Sequence, residues 1–465
     1  MELSRRAFIV GLAAAVGPAA ALAAAEALGA PLVPRGDPVL VERVRAQPAD
    51  LGRGRSVAVV GAGIAGLVTA YELARLGFDV SVLEAGSKAG GRIKTLRAGD
   101  SLCYDDGTVQ HAGFASDLYF NAGAARIPST HRALLGYCRE LGVALEVISL
   151  ISRSALCVVQ EGGGDRRYTV GQLQGDARGL LSELLAKCAS QGALNSQLDA
   201  EDRHKLLGLL RDFGDLRVDG SFAGSRRSGY AVSPAAGEVA GTLRDSLELR
   251  TLLDRRLWYP LWYDEHLEYQ PTMMQPIGGM DAISEAFARA LGPRLLLGGT
   301  AIRIDNISDG ARIVYQRDGA AGESVLQTDY AVVTCPLPVL STLHNNLPSD
   351  FLRAAASIDY LPAYKIGWQS PRFWEERDGI YGGISFLDDD TSLVWYPSHG
   401  LFEPRGLLVG AYTHGAPAQR YADLPLAGQY EKSRRSLERL HPGQAEQLSQ
   451  PMCVAWHKLS FSRGG

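Results

Sequence analysis

The chain has 465 residues, 46% of them hydrophobic and 21% charged, which is enough apolar material for two or three domains and too much for a disordered protein. Its formal charge of -4 arises from mixed signs with no basic stripe, so no nucleic acid is expected as a partner and the substrate is expected to be small. The six cysteines, Cys103, Cys138, Cys157, Cys188, Cys335 and Cys453, show no CxxC pair and no ligand-like spacing, which argues against a zinc site and against a disulfide framework.

Residues 1–27 place Arg5 and Arg6 before an Ala-rich apolar run from Ala7 to Ala25, with small-x-small cleavage candidates between Ala21 and Ala27. This is the form of a twin-arginine export signal and predicts a periplasmic or extracellular protein; Pro18 and two glycines weaken the run as a membrane anchor. Residues 28–54, with Pro31, Pro34, Pro38 and Pro48, read as an extended arm or linker. A first nucleotide-binding part is predicted over 55–130. There SVAVVGAGIAGLVTAYELARLGFDVSVLEAG alternates a strand from Ser56 to Val60, a glycine turn, an amphipathic helix ending before Gly77, and a strand from Asp79 to Leu83.

Gly61, Gly63 and Gly66 form GxGxxG around Ile64 and Ala65, directly after a strand and opening a helix, the context in which the motif cradles a dinucleotide pyrophosphate. Glu84, followed by Ala85 at the end of the second strand, is placed for ribose hydroxyls and against a 2'-phosphate. Gly90, Gly91 and Arg92 then give a second close-approach turn with a fixed positive charge. Further on, LYFNAGAARIPSTH holds a single arginine, Arg126, and no carboxylate. Two destinations are open for it, a structural ion pair with a distant acid or an anionic ligand.

A helical and substrate-domain insert is expected over 131–275, with a hairpin turn at Gly162 to Gly164 and a helix capped by Asp199 and closed by Gly214. Nucleotide-binding chain returns over 276–340, beginning with a helix capped from Asp281 to Gly292. Strands follow at Leu295 to Gly298, Ala301 to Ile304, Ala311 to Gln316 and Tyr330 to Thr334. The remainder, 341–465, reads as substrate domain with strands at Lys365 to Gln369, Leu393 to Tyr396 and Leu407 to Tyr412. Trp258, Tyr259, Trp262 and Tyr263 line either an aromatic pocket or a core.

EAGSKAGGRIKT resembles the second motif of the FAD-binding flavin amine oxidase superfamily, usually R-x-G-G-R, with Lys88 in place of the first arginine. NAGAARIPSTH looks like the family's G-A-M-R-x-P segment, QPIGGMDAISEAF like its return to the FAD domain, and YKIGWQSPRFWEERDGIYGG, LLVGAYTHG and VAWHKLSFSRGG like three later segments. Taken together the chain is most similar to L-amino acid oxidases and amino acid 2-monooxygenases. The resemblance implies an α/β fold: an FAD-binding, Rossmann-like domain of the glutathione-reductase type with inserted α+β substrate-binding and helical domains.

The same resemblance implies FAD contacts from Gly61, Gly63, Ile64, Ala65, Gly66, Glu84, Ala85, Gly91, Arg92, Gly123, Ala124, Ala125, Arg126, Ala301 and Trp456, with Ala125 standing where methionine is common. It implies that Lys365 holds a water beside the flavin, and that Arg126 and Tyr412 bind the substrate carboxylate. The residues alone leave Lys365 open as a surface lysine on an edge strand, and Tyr412 and Trp456 open as core. The activity implied is FAD-dependent oxidative deamination of an L-amino acid by dioxygen, giving the 2-oxo acid, ammonia and hydrogen peroxide. The alternatives are an amide-forming 2-monooxygenase and a non-catalytic or partner-dependent FAD-fold subunit. The last is raised because the family's G-E-H or G-E-Y strand and following glycine-rich helix start do not occur before Gly465. Two explanations are open, a separate chain that supplies the segment as a partner or a sequence that continues past Gly465; this chain alone is expected to bind FAD weakly, and homo-oligomerisation is left open.

Overall fold

Ser56–Val60 is a short run of mostly β-branched residues buried along nearly its whole length, as a central strand of a parallel sheet must be. The computed structural model describes residues 38–465 except 238, 239 and 256; the twin-arginine segment and the start of the arm lie outside the described residues. The parallel sheet runs Leu295–Leu297, Asp79–Glu84, Ser56–Val60, Tyr330–Val333, so it joins chain from the first β-α-β unit to chain from far downstream. Alternation along the first strand sends Val57 and Val59 into a core with Leu67, Ala70, Ile283 and Phe287 of two helices, Ile64–Arg75 and Ala282–Leu291. Ala58 and Val60 face the opposite way, against Ala301, Ile304 and Ile313 of an antiparallel sheet.

Two glycines fix the turn between the first strand and helix. Gly61 has φ +99°, open to glycine at no steric cost. A Cβ on Gly66 would lie 1.9 Å from the Gly61 carbonyl oxygen, so the helix can sit this close to the turn only with glycine there. Gly63 differs: a Cβ on it would meet no protein atom within 4 Å.

The second large sheet has seven strands in the order Gly164–Thr169, Leu156–Glu161, Gly383–Leu387, Leu393–Tyr396, Arg405–His414, Ala363–Pro371, Ser449–Ala455. The hairpin opening it turns on Gly162 and Gly163, at φ +59° and +84°, and Gly164 already belongs to the returning strand. Helices Val170–Ser190 and Ala200–Gly214 form the helical insert, and Asp199 caps the second by accepting the Asp202 N–H at 2.8 Å. A small antiparallel sheet, Ile127–Pro128, Met273–Pro276, Leu145–Ile148, lies beside these elements. Among the described residues no helix is long and apolar enough to cross a membrane.

Three local expectations change. The arm contains a helix, Pro38–Arg45, tied down by Arg45 to Glu72 and Glu140 at 2.7 and 2.8 Å. Asp281 does not cap the helix after it; its carboxylate takes both terminal nitrogens of Arg97, at 2.6 and 2.8 Å, a charge-assisted bidentate pair that outcompetes a cap. Glu323–Thr328, Gly383–Leu387 and Ser449–Ala455 are strands that periodicity passed over. Gly66→Ala is expected to destabilise the protein by about 1–3 kcal/mol through overpacking, while Gly63→Ala stays within about 0.5 kcal/mol. Thermal unfolding of the two variants without added cofactor measures the difference.

Candidate active site

The glycine turn and Glu84 meet as the spacing predicts. The Glu84 carboxylate accepts the Ala62 N–H at 2.7 Å and the Gly86 N–H at 2.8 Å, which stiffens the turn and leaves lone pairs for ribose hydroxyls. Helix Ile64–Arg75 begins at Gly63 with no side-chain cap, so its first N–H groups remain for an anion. Ala65 is exposed on that first turn and Ile64 half-buried. The second glycine pair packs on the first: Gly90 N–H donates to Ala62 O at 2.8 Å, and a Cβ on Gly91 would sit 3.3 Å from the Gly63 Cα. Ala85 follows Glu84 at this edge, half-buried. Lys88 is a surface residue paired with Asp100.

Arg92 leads from this cleft to the second part of the site. Its carbonyl oxygen accepts the Ala124 N–H at 3.2 Å and would lie 1.8 Å from a Cβ on Gly123, while its guanidinium is exposed and 5.9 Å from the centre of the Tyr360 ring. Trp456 closes the same crossing from the other side, donating from Nε1 to Ala122 O at 3.0 Å. Ala301 is the predicted contact whose side chain is not in the cleft; it is buried in the core beside Val60 and Leu83.

Lys365 is not on an edge strand. Its strand lies between Arg405–His414 and Ser449–Ala455, with Lys365 opposite Tyr412 and Val454. The side chain is 4% exposed, and Nζ donates to Gly123 O at 2.5 Å and Asn121 O at 3.2 Å. Burial, and then the neighbouring Arg126 charge, lower its pKa to about 7. Nζ also lies 4.7 Å from the centre of the Tyr412 ring.

Arg126 is half-buried, its guanidinium 4.4 Å from the centre of the Tyr269 ring and 5.2 Å from that of Trp395. It forms no ion pair among the described residues. Asp117, the nearest acid upstream, pairs instead with Arg405. Tyr412 meets Trp395 edge-on at 5.2 Å, and burial raises its hydroxyl pKa against the opposing pull of Arg126. His414, two residues along the same strand, packs its ring on Tyr412 at 4.6 Å; burial together with Lys365 and Arg126 lowers its pKa. Ala125 packs into the core beside Trp395 and lines a cavity with it, and Ala124 is exposed next to the crossing.

Of the four aromatic residues singled out near the insert, only Tyr263 is buried, stacked on Tyr269 at 4.9 Å; Tyr259 and Trp262 are exposed. Sequence reasoning missed Tyr269 and Trp395, the two aromatic residues that hold Arg126. No local pattern marks either one, because Trp395 reaches the site through strand pairing and Tyr269 from a turn packed against Arg126 and Tyr263.

The sequence profile described as flavin containing amine oxidoreductase matches residues 64–465. The chain belongs to this family. It is 27% identical over 414 residues to an L-amino-acid oxidase of Pseudechis australis, covering 86% of this chain and 73% of the relative. It is 26% identical over 440 residues to the flavin-dependent L-tryptophan oxidase RebO of Lentzea aerocolonigenes, covering 88% and 86%. Among solved structures, putrescine oxidase bound to putrescine shares the fold with a TM-score of 0.56 at 21% identity, covering 88% of this chain and 87% of that one. Cyclohexylamine oxidase from Brevibacterium oxydans does so with a TM-score of 0.54 at 17% identity, covering 88% and 86%.

The protein is therefore a flavin oxidoreductase, its fold is an FAD-binding one, and its cofactor is FAD. The residues present fit that group: bare backbone at Gly63, an uncapped helix N-terminus and the Glu84 carboxylate form one continuous cleft edge. The crossing at Gly123 connects this edge to Lys365 and Arg126. Lys365→Met removes the buried amine and is expected to slow the reaction of the reduced, FAD-loaded enzyme with dioxygen by roughly 10²-fold, with a smaller effect on anaerobic reduction by substrate. Any titration of the dioxygen step near pH 7 is expected to vanish with it. Stopped-flow measurement of both half-reactions across pH decides the matter, and equal slowing would give Lys365 a positioning role only.

Proposed function

We propose that the protein oxidises the α-amine of an L-amino acid, giving the 2-oxo acid, ammonia and hydrogen peroxide at the expense of dioxygen. The observation that carries this reading is Arg126, a half-buried guanidinium stacked on Tyr269 and Trp395 with no anionic partner among the described residues. A guanidinium held over aromatic rings keeps its N–H donors unused, and those donors match a carboxylate through two parallel hydrogen bonds. Tyr412, beside Lys365 on the neighbouring strand, supplies a hydroxyl for the same carboxylate. An amine without a carboxylate has no use for this arrangement. Two of the relatives are named for oxidation of L-amino acids or of L-tryptophan.

Bound FAD supplies the two-electron chemistry, accepting the Cα hydrogen with its electron pair and returning the electrons to dioxygen. The chain's own residues fix geometry: Arg126 and Tyr412 hold the carboxylate, which leaves Cα only a narrow range of positions. The wall of Trp395, Tyr269 and Tyr412 excludes water from that space. Lys365 Nζ keeps the carbonyls of Asn121 and Gly123 in place and, with a pKa of about 7, stays ready to hold or give up a proton there. Water then hydrolyses the released imine to the 2-oxo acid and ammonia.

Arg126→Met is expected to lower kcat/KM on L-amino acids by roughly 10² to 10⁴, the effect of leaving a carboxylate without its buried partner. Carboxylate-free amines are expected to be poor substrates of the unaltered enzyme and to change little in the variant. Equal losses on both classes would return Arg126 to a structural role. Identification of the product as 2-oxo acid rather than amide separates deamination from oxidative decarboxylation.

From the sequence alone we also propose export by the twin-arginine route, supported by Arg5, Arg6 and the apolar run after them. Replacing both arginines by lysine is expected to retain the precursor in the cytoplasm. Unchanged export on cell fractionation would exclude that route.

A further inference from the structure

The small sheet beside Arg126 carries a second unpaired charge. Its register sets Met273 opposite Pro128 and Ile148, and Gln275 opposite Glu146. Side chains alternate along a strand and match across it, so Pro128, Met273, Gln275, Glu146 and Ile148 share one face. Arg126 lies on the loop just before this strand, with its guanidinium 5.2 Å from the ring centre of Trp395. The other face, with Ile127 and Met274, packs into the nucleotide-domain core.

The face bearing the charges borders a cavity lined by Ala125, Ile148, Gln275, Trp395, Tyr119 and His399. Three of these belong to the surroundings of Arg126 already described or to its own loop: Ala125 is its neighbour, Trp395 carries its guanidinium, and Gln275 lies on the adjoining strand. At the far end Gln275 Nε2 donates to Glu146 Oε1 at 2.7 Å and approaches His399 Nδ1 at 3.2 Å, and the His399 ring stacks on Tyr119 at 4.7 Å. Glu146 forms no ion pair with any cation among the described residues. Arg126 and Glu146 thus belong to segments two strands apart in this sheet, Arg126 just outside its paired strand, with the strands themselves about 10 Å apart. They do not neutralise each other, and a half-buried charge without a partner is costly.

We propose, building on the carboxylate reading of Arg126, that this cavity is the side-chain subsite and that it selects L-amino acids ending in a cation, of the lysine and arginine class. One molecule of that kind satisfies both charges. Its carboxylate meets Arg126, its aliphatic stem crosses the apolar wall of Ala125, Ile148 and Trp395, and its terminal cation reaches Glu146. An extended lysine spans roughly 6 Å from Cα to its ammonium, a length in keeping with the two strand spacings, about 10 Å, between the strand that Arg126 leads into and that of Glu146. The amide oxygen of Gln275 and the Tyr119 hydroxyl are further acceptors at that end. An aromatic side chain would fill the cavity but leave Glu146 unpaired.

The test uses the FAD-loaded full chain and peroxide release with L-lysine, L-arginine, L-norleucine, L-tryptophan and n-hexylamine. Norleucine keeps the straight carbon chain of lysine without its charge. The expected result is a kcat/KM for lysine about tenfold or more above that for norleucine, and a lysine-to-norleucine ratio about tenfold smaller in Glu146→Gln. The first comparison needs no variant, so it stands even if Glu146→Gln folds poorly. Oxidation of amino acids with norleucine or tryptophan matching lysine, or a ratio unmoved by Glu146→Gln, overturns this inference and leaves the carboxylate reading intact. Oxidation of n-hexylamine with no amino acid oxidised overturns both.

Discussion

The site depends on one backbone crossing. At Gly123 the chain passes so close to Arg92 that a Cβ would sit 1.8 Å from the Arg92 carbonyl oxygen. The three carbonyls around it are then held by long-range donors, Asn121 and Gly123 by Lys365 Nζ and Ala122 by the Trp456 indole. Arg92 follows the glycine pair packed on the GxGxxG turn, whereas Lys365 lies on a strand of the seven-stranded sheet and Trp456 directly follows its last strand, so this crossing joins the glycine turns to that sheet. Burial of the Lys365 amine works against folding, and its bonds to the two carbonyls offset part of that. Because the backbone is fixed in this way, Arg126 three residues later needs no ion pair of its own to be positioned.

Other arginines show how this protein uses the residue for structure. Arg97 is bidentate on Asp281, Arg372 pairs with the buried Glu375, and Arg439 spreads over Asp165, Asp388 and Asp389. Each ties together segments distant in sequence or steadies a loop. Arg126 instead rests on the faces of Tyr269 and Trp395, an arrangement that orients a guanidinium without consuming its donors. That contrast is what supports the proposal that Arg126 binds a substrate carboxylate.

The fold by itself does not select a substrate. Oxidases of putrescine and of cyclohexylamine share it at 21% and 17% identity, and neither of those amines carries a carboxylate. What separates an amino acid from an amine is carried by side chains, and in the proposed function that task falls to the N–H donors of Arg126 and the Tyr412 hydroxyl. Identity near 27% to an L-amino-acid oxidase agrees with that direction.

The sequence alone determined what is written within a short window. The β-α-β unit, the role of Gly66, the Asp199 cap and the Gly162–Gly163 turn follow from periodicity and local backbone preference, which act over a few neighbouring residues. Where a distant partner competed, local signals misled: Asp281 had the form of a helix cap until Arg97, folded against it, offered a stronger bond. The environment of Lys365 was decided by tertiary structure, since only the flanking strands Arg405–His414 and Ser449–Ala455 make its own strand central rather than an edge. Tyr269, Trp395 and Glu146 had no signature at all, because stacking, exclusion of water and unpaired charge are properties of neighbours. Neighbours are set by strand register across long separations, and no single stretch of sequence records it.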